Sequence, residues 1–306
     1  MASPQAEALK QMMRDFRAAA IGTADAPPPT VEEQRAGAAA GMEVMGVMPE
    51  GVTTTETTLA GLFALDQRPD GGLDDRVVLY LHGGGYVVLS PRTHAKLTAG
   101  IAKAAGCRVV SVDYRLAPEH PHPAAVTDGL AAYRALLDEG YAPHQIAISG
   151  DSAGGGLTVA TLVAARDAGV PQPACAVPLS PWVDIEGTGE SMDTKAEADM
   201  VVGRDGLKLM GDMFIAGGDI RDPLAAPLYA DLRGIAPLYV QVGGDETLLD
   251  DSTRLIAKAA AAGVEVRLDV FPEMQHVFQT CLGMIPEADD AIARIGQYLR
   301  TKLAID

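Results

Sequence analysis

A serine stands in a short glycine-flanked motif that could make it a nucleophile. Ser152 lies in the sequence G-D-S-A-G at 150–154, after the apolar run 146–149 and before the longer, alanine-rich apolar run 157–165. This order predicts a strand, a tight turn and a helix, with the serine at the turn. A serine hydroxyl becomes a good nucleophile when it is exposed, aimed and paired with a base. The motif alone is also compatible with a purely structural turn, so a base and an acid must be sought elsewhere.

One of the six histidines is placed to act as the base. In doubly wound hydrolases with this type of motif, the acid and then the histidine follow the serine along the chain. His276 is the only histidine beyond Ser152. It comes after the last predicted strand, in a loop that can reach the carboxyl ends of the strands. We therefore predict that His276 accepts the proton of the Ser152 hydroxyl.

Several aspartates compete for the role of the acid that orients the histidine. Asp245 follows a predicted strand and two glycines, and we predict that its carboxylate contacts His276. Asp184, which follows the preceding strand, is the topological alternative. Asp250 and Asp251 fall where the next predicted helix begins, a place where the helix dipole alone favours carboxylates.

A run of glycines offers donors for the oxyanion that forms when an ester carbonyl is attacked. H-G-G-G at 82–85 follows another predicted strand, and glycines let backbone amides approach a ligand closely. We predict an oxyanion hole made by the N–H groups of Gly83, Gly84 and Ala153. A phosphate-binding turn is the alternative, but the P-loop lysine is missing and no helix follows directly.

Alternating strands and helices supply the scaffold that positions these groups. Short apolar runs bounded by turn residues predict eight strands, at 52–58, 62–65, 76–81, 108–112, 146–149, 175–179, 237–242 and 264–270. Helical patterns separate most of them, and repeated strand–helix units predict an α/β fold with a mostly parallel eight-stranded sheet flanked by helices.

More than fifty residues interrupt this alternation between the strands at 175–179 and 237–242. A simple crossover between parallel strands needs only about a dozen residues or somewhat more. The segment 184–233 is therefore predicted to be an insertion outside the sheet, helical around 205–214, at the end of the sheet where a substrate lid would lie.

Composition narrows the classes of partner. The 306 residues carry a formal net charge of −17, which argues against nucleic acid and anionic membranes and favours a neutral small-molecule substrate. The N-terminus lacks the apolar segment of a signal peptide, and no run is long enough to span a membrane, so we expect a cytoplasmic protein. The three cysteines are far apart and show no metal-ligand spacing, so neither a metal nor another cofactor is expected.

Five motifs together resemble those of the bacterial hormone-sensitive-lipase-like esterases. They are HGGG at 82–85, DYRLAPEH at 113–120, GDSAGG at 150–155, SPW at 180–182 and H-x-F at 276–278. The resemblance covers nearly the whole chain after about residue 40. It implies an α/β-hydrolase fold, a possible homodimer and the catalytic triad Ser152, Asp245 and His276. This chain has D-E-T-L-L-D at 245–250 where many relatives have D-P-L-x-D, and the first aspartate aligns with their catalytic acid.

The resemblance also implies how the chain is divided. Residues 1–50 would supply N-terminal cap helices and 184–233 the cap insertion, with 51–183 and 234–306 forming the catalytic domain. Methionines are concentrated in the two cap segments, and flexible, polarisable side chains suit adaptable apolar pockets. We expect four side chains to bind substrate: Met45, Tyr86, Met210 and Phe214.

The resulting prediction is a serine carboxylesterase that hydrolyses small to medium neutral carboxylic esters through an acyl-enzyme. A lactone hydrolase using the same triad, for example on a terpene-derived lactone, is the alternative. A non-catalytic ligand receptor on the same fold is a third possibility, but that class is marked by loss of the base, and His276 is present.

Overall fold

A single sheet forms the centre of the molecule. The computed structural model describes residues 2–21 and 29–305. Within these ranges the strands are, in chain order, β1 (Val52–Leu59), β2 (Leu62–Pro69), β3 (Leu73–Leu81), β4 (Cys107–Val112), β5 (Ile146–Asp151), β6 (Cys175–Leu179), β7 (Leu238–Gly243) and β8 (Val266–Phe271). Their spatial order is β1-β2-β4-β3-β5-β6-β7-β8. The β1–β2 and β2–β4 pairs are antiparallel and all other neighbouring pairs are parallel, which confirms the predicted fold class.

Helices alternate with the parallel strands, as predicted. In the described ranges they are α1 (Pro4–Ile21), α2 (Val31–Glu43), α3 (Ala95–Ala105), α4 (Ala124–Asp138), α5 (Ala153–Asp167), α6 (Ser191–Thr194), α7 (Arg204–Ile215), α8 (Leu249–Ala261) and α9 (Pro286–Lys302). Helix α2 begins with the predicted capping box, in which Thr30 and Glu33 each accept a hydrogen bond from the other's backbone N–H. The helix predicted inside the insertion is α7.

The core lies on both faces of the sheet. Along β3, Val78 and Tyr80 pack with residues of α3 and α9, whereas Val77, Leu79 and Leu81 pack with residues of α4, α5 and α8. Successive side chains of a strand point to opposite faces, so a strand covered on both sides is a continuous apolar run. The buried strands β3, β5 and β7 hold in place the loops that follow their carboxyl ends.

Strand β2 is longer than its apolar run predicts. It continues through Pro69 because it pairs with β1 along its whole length, with Pro69 opposite Val52, and backbone pairing does not require apolar side chains. The buried Gln67 side chain donates hydrogen bonds from Nε2 to Thr54 Oγ1 and to the Ala95 carbonyl, which satisfies the nitrogen of a polar residue that the hydrophobic pattern could not place in a strand.

Residues from α1, α2 and α7 line a cavity above the carboxyl ends of the strands. The start of α1 is anchored by Ser3, whose Oγ accepts the N–H of Ala6 at 3.1 Å, as expected for an N-cap. Its backbone N–H and hydroxyl donate to Glu287 of α9 at 2.6 and 2.8 Å. No helix in the described parts of the chain is both long and apolar enough to cross a membrane.

Candidate active site

Ser152 occupies the tight turn between β5 and α5. Its φ of 53° and ψ of −120° lie in a region that non-glycine residues rarely adopt, and such strain is common at functional sites. Gly150 and Gly154 make the turn possible: a Cβ at Gly150 would overlap the Gly154 and Leu81 carbonyls, and one at Gly154 the Leu81 and His82 carbonyls. A side chain at either position would therefore collide with the backbone around the turn.

His276 lies within hydrogen-bonding distance of the serine. Its Nε2 is 2.9 Å from Ser152 Oγ, although the two residues are separated by 124 positions in sequence. The loop between β8 and α9 carries His276 over the sheet, and the residue is 7% exposed. The serine and the histidine that the sequence singled out are thus brought together.

Glu246, not Asp245, contacts the imidazole. Glu246 Oε2 lies 2.8 Å from His276 Nδ1, and the carboxylate is fully buried. Because a carboxylate only accepts hydrogen bonds, Nδ1 must carry its proton, which leaves Nε2 free to accept the Ser152 hydroxyl proton. The prediction that Asp245 orients His276 is wrong.

Other groups hold Glu246 in place. Its Oε1 accepts the Ser180 hydroxyl at 2.8 Å and the Gly243 N–H at 2.5 Å. Ser180 Oγ in turn accepts the N–H of Val277, which follows the histidine, at 3.2 Å. Ser180, in the S-P-W motif, therefore connects the carboxylate to the histidine loop.

Asp245 points away from the histidine and binds two lysines. Its carboxylate lies 2.5 Å from Lys10 Nζ of α1 and 3.4 Å from Lys195 Nζ of the insertion. Burial raises the pKa of Asp245, but the hydrogen bonds and charges of Lys10 and Lys195 outweigh burial and lower it. Asp245 thus connects α1 and the segment around Lys195 to the turn after β7. Asp184, the alternative acid, binds Thr188 and Arg254 instead.

The surroundings of His276 set its affinity for protons. Burial lowers its pKa, but the hydrogen bond and charge of Glu246 act the other way, helped by the charges of Asp199 and Asp151. The net effect is a pKa above the ordinary imidazole value of 6.5. The arrangement therefore stabilises the imidazolium that forms when the serine loses its proton.

The glycine loop after β3 supplies amide donors, but they come from Gly84 and Gly85 rather than from Gly83 and Gly84. Gly83 N–H donates to Asp151 Oδ1 at 3.0 Å, so its assignment to the oxyanion hole is wrong. Gly84 and Gly85 line the cavity beside Ser152, and within the described ranges their N–H groups donate to no backbone acceptor. Ala153 is the first residue of α5, where an N–H has no acceptor within the helix.

An apolar cavity opens at the serine. Its volume is about 410 Å³, within the range of about 300–1,000 Å³ typical of small-molecule sites. Met45 and Met210 line it, as predicted. Tyr86 and Phe214 do not: they are buried behind its wall, with their rings stacked 3.8 Å apart and 6° from parallel. Neither side chain is part of the cavity lining, contrary to the prediction that Tyr86 and Phe214 bind substrate.

Sequence reasoning missed three residues of this site: Glu246, Gly85 and Ser180. The glutamate neighbours the chosen aspartate, and nothing in the sequence separates two adjacent carboxylates in a turn. Asp151, next to the serine, is the sequence signal for the contact with Gly83, because a buried carboxylate needs hydrogen-bond donors such as a backbone N–H. The S-P-W motif was noted in the sequence without a role for Ser180.

Comparisons with known proteins identify the family of the chain. Residues 78–280 match the protein family described as alpha/beta hydrolase fold. An acetyl-hydrolase of Streptomyces hygroscopicus is 40% identical over 301 residues, covering 98% of each chain. A solved structure of an esterase from the bacterial hormone-sensitive lipase family is 46% identical, with a TM-score of 0.93 and 99% of both chains covered. The structure of EstE5 soaked with p-nitrophenyl butyrate is 42% identical, with a TM-score of 0.91, covering 99% of this chain and 100% of that one.

Proposed function

Because the chain belongs to the bacterial hormone-sensitive lipase family of esterases, we propose that Ser152, His276 and Glu246 hydrolyse carboxylic esters through an acyl-enzyme. The protein is a carboxylic ester hydrolase of the α/β-hydrolase fold. The observation that carries the finer proposal is the chain of two hydrogen bonds, 2.9 Å from serine to imidazole and 2.8 Å from imidazole to carboxylate.

The proposed reaction has two halves. Ser152 Oγ attacks the ester carbonyl while His276 Nε2 takes the hydroxyl proton, and Glu246 stabilises the resulting imidazolium. The N–H groups of Gly84, Gly85 and Ala153 receive the negative charge on the carbonyl oxygen. His276 then protonates the leaving alcohol, which leaves the acyl group on Ser152. In the second half, His276 takes a proton from water as the water oxygen attacks the acyl carbonyl. The bond between the acyl carbon and Ser152 Oγ then breaks to release the acid, and His276 returns the proton to Ser152 Oγ.

The cavity supports a small to medium, neutral substrate. Its wall is mostly apolar, and its charged side chains already have partners: Lys10 binds Asp245, and Asp151 binds His94. These groups therefore offer no free opposite charge to a charged substrate, and such a substrate would lose its hydration without compensation from them. The volume of about 410 Å³ fits ester substrates of small-molecule size rather than a macromolecule.

We expect kcat/KM to fall on the acid side with a midpoint above pH 6.5. His276 must be neutral to accept a proton, so activity is lost as the pH falls through its pKa, and the surrounding carboxylates raise that pKa above 6.5. The measurement is kcat/KM for a p-nitrophenyl ester between pH 5 and pH 9, at constant ionic strength. A midpoint below the ordinary imidazole value would contradict the assigned surroundings of His276.

Met210 is expected to limit the length of the acyl group. Its side chain packs against Gly85, where an added Cβ would overlap its Sδ, so it lies beside the proposed oxyanion hole. Met210→Ala should raise kcat/KM for longer acyl esters relative to acetyl esters by about tenfold or more, since a pocket discriminates by roughly 1–3 kcal/mol per methylene. Met213→Ala, on the same helix but away from the cavity lining, is the control. The same acyl-length profile in both variants would exclude this role.

A panel of substrates tests the proposed function. The purified protein is given p-nitrophenyl acetate, butyrate, octanoate and several lactones of similar size, and kcat/KM is compared. We expect the acetate or butyrate ester to give the highest value. A lactone hydrolysed faster than every open-chain ester would overturn the ester assignment in favour of a lactonase, and no turnover of any ester would overturn the proposal.

A further inference from the structure

A second buried histidine lies beside the candidate active site, and the proposed reaction does not use it. His94 directly precedes α3, is 1% exposed and forms part of the cavity wall. Its Nε2 lies 3.2 Å from Oδ2 of Asp151, the residue immediately before Ser152. Asp151 is itself only 3% exposed. A buried charged group is normally paired with an opposite charge, so the charge state of His94 beside Asp151 has to be established.

The hydrogen-bond geometry requires a proton on both ring nitrogens of His94. Nε2 faces the Asp151 carboxylate, an acceptor. Nδ1 faces the Ser90 carbonyl at 3.1 Å and Thr93 Oγ1 at 3.0 Å. The Thr93 hydroxyl already donates to the Ser90 carbonyl at 2.7 Å, so it can only accept from the ring. Two N–H groups on one imidazole make it a cation.

Tyr80, His82 and Tyr114, which lie around the pair, are neutral. Tyr80 donates its hydroxyl to Asp151 Oδ1 at 2.8 Å. Burial, together with the charge of His94, lowers the pKa of His82 to about 3, so that ring is neutral. Burial raises the pKa of Tyr114, which stacks on His82. Burial lowers the pKa of His94, but the charge of Asp151 outweighs burial and raises it.

Asp151 also connects the nucleophile turn to the glycine loop. Its Oδ1 accepts the Gly83 N–H at 3.0 Å, and a Cβ on Gly83 would overlap Oδ2. Gly83 is followed by Gly84 and Gly85, which line the cavity with Ser152 and supply two of the proposed oxyanion donors. The position of the Asp151 carboxylate therefore sets where the loop begins, and His94 sets the position of the carboxylate.

We propose that His94 and Asp151 form a buried ion pair that positions the glycine loop at 82–85. The pair also neutralises the Asp151 carboxylate next to the developing oxyanion, and this role rests on the proposed function. Without the imidazolium, the Asp151 charge would stand uncompensated beside a second negative charge in a site shielded from water. Both effects act on the transition state more than on the bound ester. His94 is thus a positioning residue rather than a catalytic one.

Two variants of His94 and one control test this pair with p-nitrophenyl acetate. His94→Ala leaves space for added imidazole, and His94→Gln keeps a side-chain N–H near Asp151 without the charge. His144→Ala, at an exposed histidine, is the matched control. We expect kcat to fall about 10²-fold in both His94 variants, the typical effect of misplacing a catalytic group by about 1 Å, with KM nearly unchanged. Added imidazole should restore part of the lost kcat in His94→Ala and none in Ser152→Ala.

Thermal unfolding of each variant separates positioning from folding. If His94→Ala does not fold, the kinetics of His94→Gln decide the result. Wild-type kcat in a folded His94 variant would overturn the inference, as would a raised KM with unchanged kcat, because either would leave His94 as a wall of the cavity only. An inactive wild-type protein would overturn the proposed function and this inference together, whereas an active wild type with an unaffected His94→Gln would overturn only the inference.

Discussion

Replacing Ser152 by alanine is expected to lower kcat for p-nitrophenyl esters by on the order of 10⁶-fold, and replacing His276 by alanine should cost about as much. Without the hydroxyl there is no nucleophile, and without the imidazole nothing removes its proton. Because the two groups act as one unit, the double variant should be no slower than either single variant. The residual rate would come from the oxyanion donors and from substrate binding. Steady-state kinetics of the three variants, with protein purified free of host esterases, measures this.

Ser111→Ala provides a matched control for the loss of a buried hydroxyl. Ser111 Oγ lies in β4, and in the described structure it has no hydrogen-bond partner. Its removal should leave kcat unchanged. If Ser152→Ala kept kcat within about tenfold of wild type, the serine would not be the nucleophile, because losses of that size are far below those seen when a nucleophile is removed.

Replacing Glu246 by glutamine is expected to lower kcat by about 10⁴-fold, whereas Asp245→Asn should change it by less than about tenfold. A neutral amide at Glu246 can hold the imidazole in the wrong tautomer, with the proton on Nε2 where the serine proton must go. Within the described residues the Asp245 carboxylate contacts Lys10 and Lys195 and not His276, so its loss should loosen the contact with α1 without changing the tautomer of His276. The two variants alter neighbouring carboxylates by the same chemical change, and each is the control for the other.

Glu246→Asp refines this test. It restores the charge but shortens the side chain, so we expect a kcat between those of wild type and Glu246→Gln. In Asp245→Asn, any effect should appear mainly in KM, through the contact with α1. A 10⁴-fold loss in Asp245→Asn together with a nearly normal Glu246→Gln would reverse the assignment of the acid.

The order of groups along the chain predicted much of the site because topology constrains it strongly. Ser152 follows a strand and precedes a helix, and His276 was the only histidine beyond it, so neither choice depended on atomic detail. The strands could also be predicted from the sequence, because β4, β5 and the part of β3 at 77–81 are buried on both faces and appear as short apolar runs. These predictions rest on periodicity and chain order, which a sequence contains directly.

The errors occurred where a side-chain direction within a turn decided the outcome. Asp245 and Glu246 are adjacent, and the turn after β7 sends one carboxylate toward Lys10 and the other toward His276. Gly83 was assigned to the oxyanion hole because the sequence could not show that Asp151 takes its N–H. Tyr86 follows the glycine loop, but its ring is buried in the core and stacks on Phe214. The directions of these side chains and N–H groups depend on the local backbone angles φ and ψ, which residue types alone do not specify.

Inhibition by diethyl p-nitrophenyl phosphate tests the central claim most directly. Ser152 Oγ should attack phosphorus, forming a P–O bond as p-nitrophenolate leaves and His276 takes the serine proton. The product should be stable enough for peptide mapping by mass spectrometry. We predict one p-nitrophenolate released per chain, complete loss of esterase activity, and a diethylphosphoryl group on the peptide that contains Ser152. Complete inactivation with Ser152 unmodified would contradict the account.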